Sequence, residues 1–226
     1  MPTLQTTSLT LAVPDTGRVS ALLMTPADAT ACCVFAHGAG AGMAHAFMAA
    51  LAGELAQRGI ATLRYQFPFM EQGSKRPDSP AVAQATVRAA VAEARRRLPE
   101  LPLFAGGKSF GGRMTSQAES ASPLEAVKGL VFVGFPLHPA GKPAVERAAH
   151  LAQVQRPMLF LQGTRDALAD LGLLQGALAP LGDRATLCVF DDADHAFHVR
   201  ARSGTTDAAT LTALADAMAG WFASLR

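Results

Sequence analysis

Phe104-Ala-Gly-Gly-Lys-Ser-Phe-Gly-Gly112 decides how the rest of this chain is read. The short apolar run from Leu101 leads into it and reads as a buried strand over 101–106. The residues that follow favour a helix over 111–119. Between the two, Gly107-Lys108-Ser109-Phe110-Gly111 fits G-x-S-x-G, a pattern that puts a serine on a tight strand-to-helix turn. Such a turn strains the serine backbone and lifts its hydroxyl above the sheet edge. Side chains at 107 and 111 would collide where the helix folds back over the strand. The positive end of the same helix points at this spot and favours a developing oxyanion. Gly-Lys-Ser also invites a phosphate loop, but that pattern needs a glycine five residues before Gly107, where Pro102 stands. The plain alternative is a Gly-rich turn with no chemistry, so its partners must be sought elsewhere.

Working outward, residues 4–13 and 19–24 flank a Pro14-Asp15-Thr16-Gly17 turn and read as an antiparallel hairpin. After it the pattern alternates strands with helices, the mark of a mostly parallel sheet covered on both faces. Strands are predicted over 31–36, 60–65, 101–106, 129–134, 157–162 and 186–190. Helices are predicted over about 45–58, 80–98, 111–119, 167–180 and 206–224, with a polar loop at 66–79. The reading is an α/β protein of about eight strands, residues 1–226 forming a single domain. Phe135 to Arg156, between two strands, is too short for a large cap.

Composition narrows the function classes. Of 226 residues, half are hydrophobic and 17% charged, with a net charge of +2, so a folded domain with no polyanion or nucleic-acid partner is expected. Arg95-Arg96-Arg97 reads as a solvated helix end. Cys32, Cys33 and Cys188 lie in apolar runs and read as small core residues of a cytoplasmic protein, not as a disulfide framework or metal site. No apolar run is long enough to span a membrane, and nothing resembles a signal peptide.

A serine hydroxyl needs an adjacent base, itself held by an acid. Gly163-Thr164-Arg165-Asp166 follows the strand 157–162, and Asp191-Asp192-Ala193-Asp194-His195 follows 186–190. Ser109, Asp166 and His195 thus stand in the order Ser, Asp, His, each at the carboxyl end of a strand. Asp166 is preferred as the acid, with Asp191 and Asp192 as alternatives; Asp194 reads as a loop-capping residue. His37-Gly38-Ala39-Gly40 follows the strand 31–36 and offers backbone donors for an oxyanion, the pair expected being the amides of Ala39 and Phe110. Gly38-x-Gly40 also opens a dinucleotide fingerprint, but its third glycine falls at Met43, and no acidic residue ends the next strand. No cofactor is expected. His37 reads chiefly as a loop brace, and His138 as a residue near the pocket. His37, Gly38, Gly40, Lys108 and His138 are the candidate substrate-binding residues. Lys75, Arg76, Lys142 and Arg113 read as solvated charge; the alternative is a basic rim favouring a carboxylate-bearing ester.

Six motifs stand in order along the chain: His37-Gly-Ala-Gly40, Arg64-Tyr-Gln-Phe-Pro-Phe69, Lys75-Arg-Pro-Asp78, Gly106-Gly-Lys-Ser-Phe-Gly-Gly-Arg113, Gly134-Phe-Pro-Leu-His-Pro139 with Gly141-Lys-Pro143, and Leu161-Gln-Gly-Thr-Arg-Asp166. With them the chain resembles the α/β-hydrolase superfamily across nearly its whole length. More narrowly it is similar to the testis-expressed protein 30-like group, distant relatives of dienelactone hydrolases. The resemblance implies a Ser109/Asp166/His195 triad; serine at 109 departs from the cysteine nucleophile of dienelactone hydrolases. The expected activity is serine-dependent hydrolysis of a small ester or thioester. The alternative is a protein-interaction module on the same scaffold.

Overall fold

The computed structural model describes residues 4–225. Its frame is an eight-stranded sheet in the order β1-β2-β4-β3-β5-β6-β7-β8. The strands are β1 (Leu4–Val13), β2 (Gly17–Pro26), β3 (Ala31–Ala36), β4 (Ile60–Tyr65), β5 (Leu103–Lys108), β6 (Val127–Val133), β7 (Met158–Gly163) and β8 (Ala185–Phe190). β1 and β2 form the antiparallel hairpin, and β2 runs antiparallel to β4. From β4 to β8 every pairing is parallel. The parallel strands therefore deliver all their carboxyl ends to one edge.

Continuous apolar runs become the buried centre, since a strand with helices on both faces has no solvent side. Ala31-Cys-Cys-Val-Phe-Ala36 is buried at all six positions. Its side chains alternate between two cores, Cys32, Val34 and Ala36 facing one and Ala31, Cys33 and Phe35 the other. The helices α3 (Pro80–Arg97), α4 (Phe110–Ala121) and α5 (Leu171–Leu178) cover the first face, while α1 (Ala46–Ala56) and α6 (Asp207–Ser224) cover the second. α3 starts where the sequence says it should. Pro80 occupies its first turn and the Ser79 side chain accepts from Val82 N–H, satisfying one orphan donor. Arg95, Arg96 and Arg97 at its other end are exposed, as a solvated terminus should be, and Arg96 and Arg97 both pair with Glu93.

Several boundaries differ from the sequence expectation. β5 begins at Leu103 and runs on to Lys108, two residues further into the turn than predicted; Pro102 has no N–H to give the ladder. The helix expected over 167–180 is shorter. Asp170 turns the chain and caps α5 by accepting from Leu173 N–H at 2.9 Å. Beyond Leu178 the chain tightens into a 3-10 stretch over Ala179–Arg184, broken at Gly182 with φ +57°. The loop 66–79 holds a short helix, α2 (Pro68–Glu71), and 135–156 holds a 3-10 stretch over Glu146–Gln153. Nothing larger lies between β6 and β7, and the carboxyl edge carries no cap domain. No helix among the described residues is long and apolar enough to cross a membrane.

Candidate active site

Ser109 lies between β5 and α4 with φ +50° and ψ −115°, a conformation that non-glycine residues rarely adopt. The neighbouring glycines make it attainable. A Cβ at Gly107 would come 2.4 Å from the Ala36 carbonyl oxygen of the adjacent β3, and one at Gly111 would come 2.6 Å from both the Ala36 Cβ and the His37 carbonyl oxygen. The collision predicted over the strand is thus chiefly with the neighbouring strand and its loop. Ser109 N–H donates to Val133 O at 3.1 Å, fixing the turn to the end of β6.

The loop after β8 brings His195 to the serine. Ser109 Oγ–H donates to His195 Nε2 at 2.8 Å, and His195 Nδ1–H donates to Asp166 Oδ2 at 2.7 Å. The Asp166 side chain is fully buried and that of His195 is 26% exposed. A buried carboxylate must have its lone pairs filled. Here Leu168 N–H donates to Oδ1 at 2.8 Å, and Gln162 Nε2 donates to Oδ2 at 2.5 Å. The alternatives to Asp166 are occupied elsewhere. Asp192 pairs with Arg165 and Arg200, and Asp191 is exposed. Asp194 closes its own loop, its Oδ1 accepting from the N–H groups of Ala196 and His198.

Lys108, one residue before the serine, is half-buried and donates through Nζ to the His195 carbonyl oxygen at 2.5 Å. Its ammonium also lies 5.6 Å from the centroid of the Phe197 ring. Burial pushes its pKa down to about 8, against the opposing pull of Asp166 and Asp194. Room for this contact comes from Gly134 (φ +68°), where a Cβ would stand 2.9 Å from Lys108 Nζ and 3.4 Å from His195 Nδ1.

The loop after β3 borders the serine from the other side. Gly38, Ala39, Gly40, Lys108, Ser109 and His195 all line one cavity of about 450 Å³. Phe110 opens α4, so its N–H belongs to the first turn, where helical donors lack intrahelical acceptors. His37 does not reach the cavity. It is fully buried, donates through Nδ1 to Gly38 O at 2.7 Å and accepts at Nε2 from Phe67 N–H at 3.0 Å. It braces the loop, which corrects its place among the substrate-binding candidates. Burial holds its pKa below the usual value, in keeping with a neutral ring. His138 needs the same correction. Only 4% exposed, it donates to Pro139 O and accepts from Asp170 N–H at 2.8 Å, so both ring nitrogens are spent on backbone.

Three positioning residues were not read from the sequence. Gln162, fully buried at the end of β7, accepts from Phe135 N–H at 3.0 Å while donating to Asp166. Gln66 accepts from Met43 N–H at 2.8 Å, and Arg64 donates to Met43 O at 3.0 Å, which pins the far side of the Gly38–Gly42 loop. The available signal was the polar residue itself: a glutamine or arginine inside an apolar run must find partners. Among the described residues no group of three or more His, Cys, Asp or Glu side chains is placed to hold a metal ion.

A family model described as an alpha/beta hydrolase domain matches residues 29–223. Among solved structures, the chain is similar to a dienelactone hydrolase from Anabaena variabilis, with 22% identity, a TM-score of 0.78 and 99% of each chain covered. It is also similar to an α/β serine hydrolase without a lid from Xanthomonas campestris, at 24% identity and a TM-score of 0.73, covering 96% of this chain and 93% of that one. The esterase domain of a Rhodothermus marinus protein superposes with a TM-score of 0.72 at 17% identity, covering 96% and 97%. At these identities the structural likeness speaks for the fold.

Proposed function

The chain belongs to the alpha/beta hydrolase domain family, and we propose that it is a serine hydrolase that cleaves a small carboxylic ester or thioester through an acyl-enzyme. The observation that carries this is the unbroken hydrogen-bonded line from Ser109 Oγ through His195 to Asp166, opening into a cavity. The catalytic residues of this reading are Ser109, His195 and Asp166. Ser109 Oγ attacks the carbonyl carbon while His195 Nε2 takes its proton and then delivers it to the leaving oxygen or sulfur. Asp166 holds Nδ1 protonated and offsets the charge that forms on the ring. The amides of Phe110 and Ala39 receive the oxyanion, an interaction worth about 10²–10³ in kcat per donor. Water, activated by the same histidine, then releases the acyl group.

The whole of 1–226 acts as one domain in this reading, and the six motifs given above support a place near the testis-expressed protein 30-like group. The interaction-module alternative would be favoured by a buried or misaligned serine; here Ser109 faces the cavity, within hydrogen-bond distance of the base. The test is labelling with a fluorophosphonate probe. Wild type should label, and Ser109→Ala and His195→Ala should not. A folded wild type that stays unlabelled would refute the hydrolase reading.

A further inference from the structure

Two cavities meet at Ser109, and their walls differ in chemistry. The one that passes His195 is walled largely by Phe47, Met48, Leu168 and Ala196. The other, about 380 Å³, is bordered by Arg113, Arg147, Asp78 and Pro136, and Ser109, Ala39 and Leu168 line both. Arg113 stands one turn along α4 from the serine, its N–H donating to Ser109 O at 3.1 Å. Both arginines are half-buried. Among the described residues neither forms a salt bridge. Arg113 Nε is buried without a hydrogen-bond partner, and Arg147 makes one long bond, from Nη1 to Pro136 O at 3.5 Å. Lys75, Arg76 and Lys142 are exposed, as solvated charges should be; Arg113 is the member of that set that turns inward.

The groups around the pair do not neutralise it. His150 donates through Nε2 to Ser116 Oγ at 2.7 Å, and Ser116 donates in turn to Arg113 O. Burial, then the charge of Arg113, pushes the His150 pKa down to about 4, so it adds no charge at neutral pH. Asp78 accepts from Phe69 N–H at 3.1 Å and forms no salt bridge with either guanidinium; burial raises its carboxyl above the usual value. Burial, followed by the charge of Arg147, holds Arg113 below the ordinary guanidinium value. Two like charges in a partly desolvated cleft repel, and an anion seated between them relieves both the repulsion and the empty donors.

We propose that Arg113 and Arg147 bind a carboxylate carried by the substrate, so that the bond cleaved at Ser109 joins an apolar limb to a limb ending in that carboxylate. This rests on Ser109 being the nucleophile, and the test separates the two ideas. Two pairs of esters are compared: 4-nitrophenyl pentanoate against mono-4-nitrophenyl adipate, and 4-carbamoylphenyl butyrate against 4-carboxyphenyl butyrate. The expected result is a kcat/KM about 10- to 100-fold higher for the carboxylate member of at least one pair. That ratio should fall towards one in Arg113→Gln and in Arg147→Gln, and it should shrink with ionic strength. Because the ratio is internal to each protein, partial unfolding of a variant does not mimic the result. Equal rates within both pairs would overturn the carboxylate site while leaving the hydrolase intact. Calorimetric titration of Ser109→Ala with adipate reads the site without turnover. Saturable binding that Arg113→Gln removes supports the site even if no ester is cleaved and the hydrolase reading falls. No adipate binding at millimolar concentration, or butyl phosphate binding more tightly than adipate, would overturn it.

Discussion

Replacing Lys108 with Met would test whether the ammonium behind the histidine loop is desolvated on folding. Methionine keeps the length and apolar stem but removes the donor to the His195 carbonyl. The lysine titrates near pH 8 in the folded protein and near pH 10.4 when unfolded, to judge by free side chains. Between those values the unfolded chain holds a proton that the folded chain has released, so this group makes stability rise with pH. Below the folded value both states are protonated and the burial cost is constant. Evaluated at pH 7.5 and 9.5, the lysine contributes about 2 kcal/mol more stability at the higher pH. Lys108→Met lacks that term. Cys32, Cys33 and Tyr65, whose values burial raises, are common to both proteins and cancel. Urea unfolding followed by circular dichroism at the two pH values gives the wild-type-minus-variant difference. That difference should grow by about 2 kcal/mol between them. A difference that changes by less than about 0.5 kcal/mol would mean that folding does not desolvate the ammonium.

Asp166→Asn should keep the fold and lower kcat by about three to four orders of magnitude, because an amide can hold the wrong tautomer of His195; initial-rate kinetics on any ester found to be a substrate would read this, and a loss below tenfold would contradict the role. Gly107→Ala drives a Cβ to 2.4 Å from the Ala36 carbonyl, and thermal unfolding should show a loss of about 1–3 kcal/mol or more. Gln162→Leu strands the Phe135 N–H and removes one donor from Asp166, so denaturant titration should show about 1–3 kcal/mol lost, together with a fall in kcat greater than any change in KM.

The parallel sheet was legible because the strands beyond the hairpin are largely apolar runs closed by a turn, and the three loops bearing Ser109, Asp166 and His195 each follow one. Boundaries were harder where a local rule competed with the pattern. Pro102 delayed β5, while Asp170 and the 3-10 turn that begins at Ala179 with Pro180 cut the expected helix at both ends. Histidines misled because the sequence does not say which way a ring points. His138 follows a strand at the site edge, yet its ring turns inward and serves the Pro139 and Asp170 backbone. Gln162 and the inward turn of Arg113 were illegible for a related reason. Their roles rest on contacts with residues far away in sequence, and neither periodicity nor spacing encodes those.

The short connection from β6 to β7 has a kinetic consequence. With no cap to close over Ser109, a serine-bound acyl group would stand open to bulk solvent for its whole lifetime. Nothing would need to swing aside before the first product departs, and dissolved alcohols or amines would reach the acyl carbon as freely as water does. The balance between hydrolysis and acyl transfer would then follow the make-up of the medium, with the product ratio tracking the concentration of the competing nucleophile.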